Sequence, residues 1–132
     1  MTRKLTEAVA FDALVPPQDV GTAPVTSGYL DCTHAGRIVL LAKAGAVTAG
    51  KVLTVQARQA KDAAGTGAKE LGVAATAAGV GGASPPDVEV EFVPEDLDGK
   101  NGFTHVGVTL SIDEAAKLGA AYLARGNRRY GP

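Results

Sequence analysis

The chain has 132 residues and a formal net charge of −1, from 13 basic and 14 acidic side chains. This length fits one domain, and so balanced a charge provides no field for attracting nucleic acid or an anionic membrane, so neither is expected as a partner. Hydrophobic residues make up 45% of the chain, but aromatics only 5%, and tryptophan is absent. Burying a small side chain contributes less hydrophobic free energy than burying a large one. We therefore expect contacts with neighbouring molecules to contribute to the stability of the domain.

Targeting and redox signals are weak. Cys32 is the single cysteine, so an intrachain disulfide framework is excluded. The apolar run 38–42 is too short to span a bilayer, and the first residues lack the apolar stretch of a signal peptide. These features predict a soluble intracellular product.

The N-terminal segment is predicted to be an extended arm. Residues 7–14 are expected to form an edge strand that Pro16-Pro17 ends, because proline has no amide to donate to a sheet. We therefore divide the chain into an N-terminal arm or edge strand, 1–27, and a β-sandwich domain, 28–132.

Four later segments carry strand patterns. Residues 37–43 form a short apolar run typical of a buried strand. Residues 52–58, 87–93 and 105–112 alternate apolar and polar side chains, which is the period of a half-buried strand. The alternation predicts the following core-facing side chains: Leu53, Val55, Ala57, Val88, Val90, Phe92, Val106, Val108, Leu110 and Ile112.

The end of the chain fits either a helix or a strand. Residues 113–119 could form a helical turn capped by Asp113, which residues 120–125 either extend or follow as a last strand. We favour the strand, since Gly119 and Gly126 bracket it. The whole pattern predicts an all-β, single-domain antiparallel sandwich or barrel with long loops. Its uncharged 72–84 segment is expected to be a loop that contains a weakly specified strand.

The stretch KDAAGTGAKE at 61–70 looks like a phosphate-binding loop. That motif requires glycine directly before a lysine and then a hydroxyl residue, but here an extra residue separates Gly67 from Lys69, and Glu70 replaces the hydroxyl. We interpret the stretch as a hairpin turn in which Gly65 and Gly67 supply positive φ. Lys69 is then a surface lysine and a candidate contact to a neighbouring protein.

Two further patterns resemble metal or nucleophile sites. Asp96, Asp98 and Asn101 have part of a calcium-loop spacing, but no acid follows in 103–112 to complete the ligand set, so a turn between strands is favoured. Cys32 has no second cysteine to complete a zinc site, and no serine lies in a G-x-S-x-G motif. We therefore predict no catalytic residue, cofactor or metal.

The C-terminal tail is the most basic stretch. Arg125, Arg128 and Arg129 lie near Tyr122 and Tyr130 in the sequence. Arginine and tyrosine are enriched where proteins contact one another, so these five residues are candidate protein contacts, and a solvated tail is the equal alternative.

The order and spacing of several segments resemble a family of small virion proteins from tailed phages and prophages. The resemblance covers about residues 28–130 and rests on segments 36–45, 53–57, 62–71, 95–103 and 116–122. This sequence departs from the family in a shorter Ala/Gly loop at 72–86.

The resemblance implies a structural protein of the phage head that decorates and cements a capsid of the HK97-like kind. It implies the major capsid protein as partner, self-association as a trimer, and a place on the capsid surface after assembly in the host bacterial cytoplasm. A head–tail connector or tail component is the alternative within virions. From other classes, a small nucleotide- or metal-dependent enzyme and a carbohydrate-binding module are weaker hypotheses.

Overall fold

The computed structural model describes residues 9–20, 22–33, 35–79 and 87–126, and these ranges contain strands and turns but no α-helix. Two short 3₁₀ helices, Pro94–Asp96 and Gly99–Asn101, lie between strands. No helix in these ranges is long and apolar enough to cross a membrane. The strands are β1 Val9–Asp19, β2 Val25–Thr26, β3 Leu30–Asp31, β4 Arg37–Ala44, β5 Val52–Ala60, β6 Lys69–Glu70, β7 Ala75–Ala78, β8 Val88–Phe92, β9 His105–Ile112 and β10 Leu118–Gly126.

The strands form two antiparallel sheets. Sheet A has the order β1-β10-β4-β8. Sheet B has the order β2-β9-β5-β6, with β3 also paired to β9 and β7 to β5. The two sheets form a sandwich and do not close into a barrel, so the structure confirms the all-β prediction and selects the sandwich.

The core lies between the sheets and is built by the predicted alternation. The inward side chains of β9 are fully buried, and those of β5 and β8 are buried or partly buried. The largest completely buried side chains come from both sheets and are Ile38, Leu40, Leu53, Leu110, Ile112 and Leu123. Burial of this continuous apolar layer provides the main driving force for folding.

Strand β1 differs from its prediction. It pairs with β10 from Val9 to Asp19, so it runs through Pro16 and Pro17, and the expectation that these prolines end the strand was wrong. The register shifts on both sides of Val15, as expected for bulges. An edge strand tolerates proline because the amides on its open side have no ladder bond to lose. The proposed domain boundary after residue 27 stays a prediction.

The two ambiguous segments are now defined. Residues 118–126 form strand β10, which confirms the favoured interpretation, whereas 113–117 form bends and turns and no helical turn. Ala116 has a φ of 60°, which ends any helical course there. Within the uncharged loop, 75–78 form β7, the expected short strand, and 80–84 lie outside the described residues.

Candidate functional site

The 61–70 stretch folds as a turn held by Asp62. The carboxylate accepts hydrogen bonds from the amides of Ala64 and Thr66, at 3.0 and 3.1 Å, and from the Thr66 hydroxyl at 2.6 Å. The hydrogen bonds from Thr66 lower the pKa of Asp62. Gly65 and Gly67 have φ values of 88° and 67°, as predicted. The stretch is therefore an aspartate-stabilised turn between β5 and β6.

The loop with the calcium-like spacing packs against this turn. Lys69 Nζ lies 2.5 Å from Asp98 Oδ2, and the Asn101 amide donates to the same oxygen at 2.8 Å. Lys69 Nζ also lies 4.4 Å from the centroid of the Phe103 ring, in cation–π range. The hydrogen bond from Lys69, as the largest cause, and that from Asn101 lower the pKa of Asp98.

The buried side chain of Gln59 forms hydrogen bonds with both the 61–70 turn and the loop that contains Asp98. Gln59 is 6% exposed; its Oε1 accepts the Asp98 amide at 2.8 Å and its Nε2 donates to the Glu70 carbonyl at 3.2 Å. Sequence reasoning missed Gln59, although the signal was present: it continues the inward series of β5 with a polar side chain. A polar group at a core position requires partners, and here the partners are the two loops.

The described side chains that could act as nucleophiles, bases or metal ligands are buried, hydrogen-bonded or not grouped. Burial raises the pKa of the Cys32 thiol to about 11, so it is protonated at neutral pH and a poor nucleophile. His105 Nδ1 lies 2.9 Å from the Thr104 hydroxyl, and His34 lies outside the described residues. In the part of the chain that the structure describes, no three His, Cys, Asp or Glu side chains are grouped to hold a metal ion.

Arg125 joins three strands. Its guanidinium lies 2.5 Å from the Asp12 carboxylate on β1 and donates to the Asp31 carbonyl on β3 at 2.8 Å. Because β10 and β1 belong to sheet A and β3 to sheet B, this side chain links the two sheets. Its predicted contact to another protein, like that of Lys69, stays a prediction, and the structure gives both side chains intramolecular partners. The other predicted tail contacts, Arg128, Arg129 and Tyr130, lie outside the described residues.

Sheet A carries an apolar outer face. Leu40 of β4 and Leu123 of β10 point into the core, so the alternate side chains of the same strands point outward. Tyr122 is paired with Leu41, and Phe11 of β1 lies beside β10 on the same side. We define the apolar outer face by its large side chains, which are Phe11, Val39, Leu41, Leu118 and Tyr122.

Parts of this face are strongly exposed. Phe11 and Leu118 each expose 60% of their surface, and Val39, Leu41 and Tyr122 are half-buried. An open depression of about 210 Å³ lies between Leu118 and Tyr122. The outward face of an antiparallel sheet is normally polar, so an apolar outward face is a departure from the usual pattern.

Sheet B follows the normal rule and offers a contrast. Its outward positions include hydroxyl and amide side chains, and one row across the sheet pairs Thr26 with Thr109 and Thr109 with Gln56. Thr26 and Thr109 hydroxyls are hydrogen-bonded at 3.0 Å. The two faces of one small sandwich therefore differ in character, and the predicted contact residue Tyr122 lies on the apolar one.

Comparisons with known proteins identify the fold. No protein-family model matches the chain, and no curated protein matches it. Among solved structures, the chain is similar to the infectious bursal disease virus VP2 subviral particle, with a TM-score of 0.52 and 10% identity over 88% of this chain. A chain of the T13 IBDV viral particle gives a TM-score of 0.52 and 11% identity over 88%.

These matches define a fold class and no more. The chain spans about a third of the viral chains, 31% and 30% of their lengths. A third match, to pili of Bacillus endospore appendages, has a TM-score of 0.46 and 8% identity and covers 90% of this chain and 88% of that one. The two matches with a TM-score of 0.52 therefore show a shared fold, which in this chain is a two-sheet antiparallel β-sandwich.

Proposed function

We propose that this chain is a non-enzymatic structural protein of a virus particle, which decorates and stabilises the outside of a phage capsid of the HK97-like kind. The observation that carries the proposal is the apolar outer face of sheet A, since Phe11 and Leu118 are each 60% exposed there. Contiguous exposed apolar surface on a soluble domain marks a contact with another molecule.

Two further observations support the proposal. The sequence resembles small virion proteins of tailed phages in the order of its strands and turns, and the sandwich fold resembles that of viral capsid chains. The loops that resembled catalytic or ligand-binding motifs bind each other through Lys69 and Asp98 instead. A protein that cements a shell needs a rigid scaffold and a contact surface, and many weak contacts repeated over a shell add up to firm attachment.

Copy number on purified particles tests this function. The experiment deletes the gene from the phage or prophage that encodes the chain, purifies particles with and without the protein, and quantifies it by mass spectrometry. We expect many copies per particle, and we expect particles without it to lose their DNA at lower temperature. Particles that never contain the chain would contradict the proposal.

The same measurement separates the proposal from its alternative within virions. A head–tail connector or tail component assembles as one ring or tube, and a decoration protein occupies sites over the whole shell. A count that matches a single ring, with unchanged shell stability after deletion, would assign the chain to the connector or tail.

A further inference from the structure

We propose that the apolar outer face of sheet A is the surface that docks, face-on, against the shell protein, and that the shell presents an apolar patch bordered by a basic side chain. This inference rests on the proposed function and goes beyond it. It states which face makes the contact, that the contact is face-on, and which kinds of side chain the shell protein presents.

The edges of sheet A indicate that contact occurs through the face of the sheet and not by addition of a strand at an edge. One edge strand, β1, carries Pro16 and Pro17 and two shifts of register, all of which oppose the addition of a further strand. The other, β8, has five residues and directs the carboxylates of Glu89 and Glu91 outward. With both edges protected, strand addition is disfavoured and the exposed apolar face is left as the contact.

The partner chemistry follows from the charges beside the face. Among the described residues of sheet A, Arg37 and Lys43 are the basic side chains on this side, and each is already paired, with Glu91 at 3.2 Å and with Asp87 at 3.5 Å. Glu89 lies opposite Leu41 in the register and forms no ion pair or hydrogen bond with the described residues. The carboxylate of Glu89 thus borders the apolar outer face without a cation among the described residues, and a basic group on the partner would pair with it.

A second copy of this chain fits the face less well. A copy placed face to face brings the same acidic strand β8, and the basic side chains of its own face are occupied by Glu91 and Asp87. Glu89 would therefore stay unpaired or approach its own equivalent, since neither orientation of the two faces supplies a free cation among the described residues. Charge complementarity favours a different protein.

Rebinding to particles tests the docking surface. Particles purified from a strain that lacks the gene are mixed with the purified full chain, and occupancy is measured by mass spectrometry after sedimentation. Leu118→Asp and Phe11→Asp place a charge on the face at exposed positions, so they leave the core intact. We expect each to weaken binding at least about tenfold. The matched control is Val73→Asp, because Val73 is 90% exposed in a loop between two strands of sheet B.

A second pair of variants tests whether the carboxylate of Glu89 pairs with a basic group on the shell protein. Glu89→Lys is expected to weaken binding at low salt, and Glu89→Gln to reduce the salt dependence of binding. Glu70→Lys makes the same change of charge on the exposed β6 of sheet B and should bind as wild type. Melting temperatures of all variants check that the domain remains folded.

The outcomes separate the two proposals. Particles that bind no wild-type protein overturn the proposed function, and the docking assignment with it. Particles that bind wild type and the face variants equally well overturn the docking assignment alone. Light scattering that shows a wild-type dimer, dissociated by Leu118→Asp, would mean that a second copy covers the face and would also overturn it.

Discussion

The ammonium of Lys69 lies 2.5 Å from the carboxylate of Asp98, although the two residues are 29 positions apart in the chain. Each belongs to a stretch with a misleading likeness to a ligand-binding motif, one to a phosphate loop and the other to a calcium loop. In the fold the two stretches are neighbours, and the charges that would have held ligands hold each other. Lys69 and Asp98 are therefore paired within the protein.

The coupling between Lys69 and Asp98 is measurable as a double-mutant cycle. We expect Lys69→Ala and Asp98→Ala each to lower the melting temperature slightly, and the double variant to lose less than the sum, because either change removes the same ion pair. Lys100→Ala, on the same loop, is the control and should behave as wild type. Additive losses would contradict the pairing.

The same pair predicts the result of ligand titrations. Calorimetry with ATP or with calcium should give no heat of binding, since Asp98 accepts from Lys69 and Asn101 and the turn at 61–70 lacks the lysine–hydroxyl sequence. Tight binding of either ligand, abolished by Lys69→Ala or Asp98→Ala, would restore the enzyme hypothesis.

The turn carboxylate predicts how stability depends on pH. Hydrogen bonds from Thr66 hold the pKa of Asp62 below its ordinary value of 3.8 in the folded state. A lowered folded-state pKa stabilises the fold above the ordinary value, and this stabilisation is lost as pH falls through the folded-state pKa. Asp62→Asn should therefore destabilise the protein at neutral pH, and urea titrations should show this effect disappearing as pH falls below 3.8 and through the lowered folded-state pKa. A penalty that is constant over this range would contradict the account.

Adding a side chain at Gly107 is expected to destabilise the fold by overpacking. A Cβ added there would lie 2.7 Å from the Gly28 carbonyl oxygen and 2.8 Å from the Tyr29 ring, which packs over β9. We expect Gly107→Ala to reduce the free energy of unfolding by about 1–3 kcal/mol. Gly28→Ala is the matched control, because a Cβ at Gly28 has nothing within 4 Å. Equal stability of the two variants would show that Tyr29 does not cover Gly107.

Because Arg125 links strands within the domain, its replacement should reduce the free energy of unfolding more than replacement of an arginine in an exposed ion pair. Arg125→Ala removes charged hydrogen bonds to two other strands and should cost about 1.5–3 kcal/mol in urea unfolding. Arg37→Ala, whose pair with Glu91 is exposed, should cost no more than about 1 kcal/mol. If Arg125→Ala left stability unchanged but lowered particle occupancy, Arg125 would be a contact residue instead.

Much of the fold could be predicted from sequence, because strand alternation is a local property. Val106 to Ile112 alternate apolar and polar, and their apolar members fill the core as predicted. The first strand was expected to lie at an edge, but Pro16 and Pro17 were expected to end it. They do not, because an edge strand tolerates proline where the open side has no ladder hydrogen bond to lose.

The site was harder to predict, since it depends on contacts distant in sequence. Tyr122 was a candidate from its residue type, but the apolar outer face also needs Leu41 and Phe11, which come together only through the order β1-β10-β4. Arg125 and Lys69 were candidates for the same reason of residue type, yet their partners Asp12 and Asp98 lie far away along the chain.

The most direct test of the account is a cryo-EM reconstruction of particles that carry the chain. We expect density for the sandwich at repeated positions over the shell, with sheet A against the capsid surface, Leu118 and Phe11 in the interface, and the hydroxyl-bearing face of sheet B toward solvent. Density confined to one vertex, or sheet B against the shell with Leu118 exposed, would contradict it.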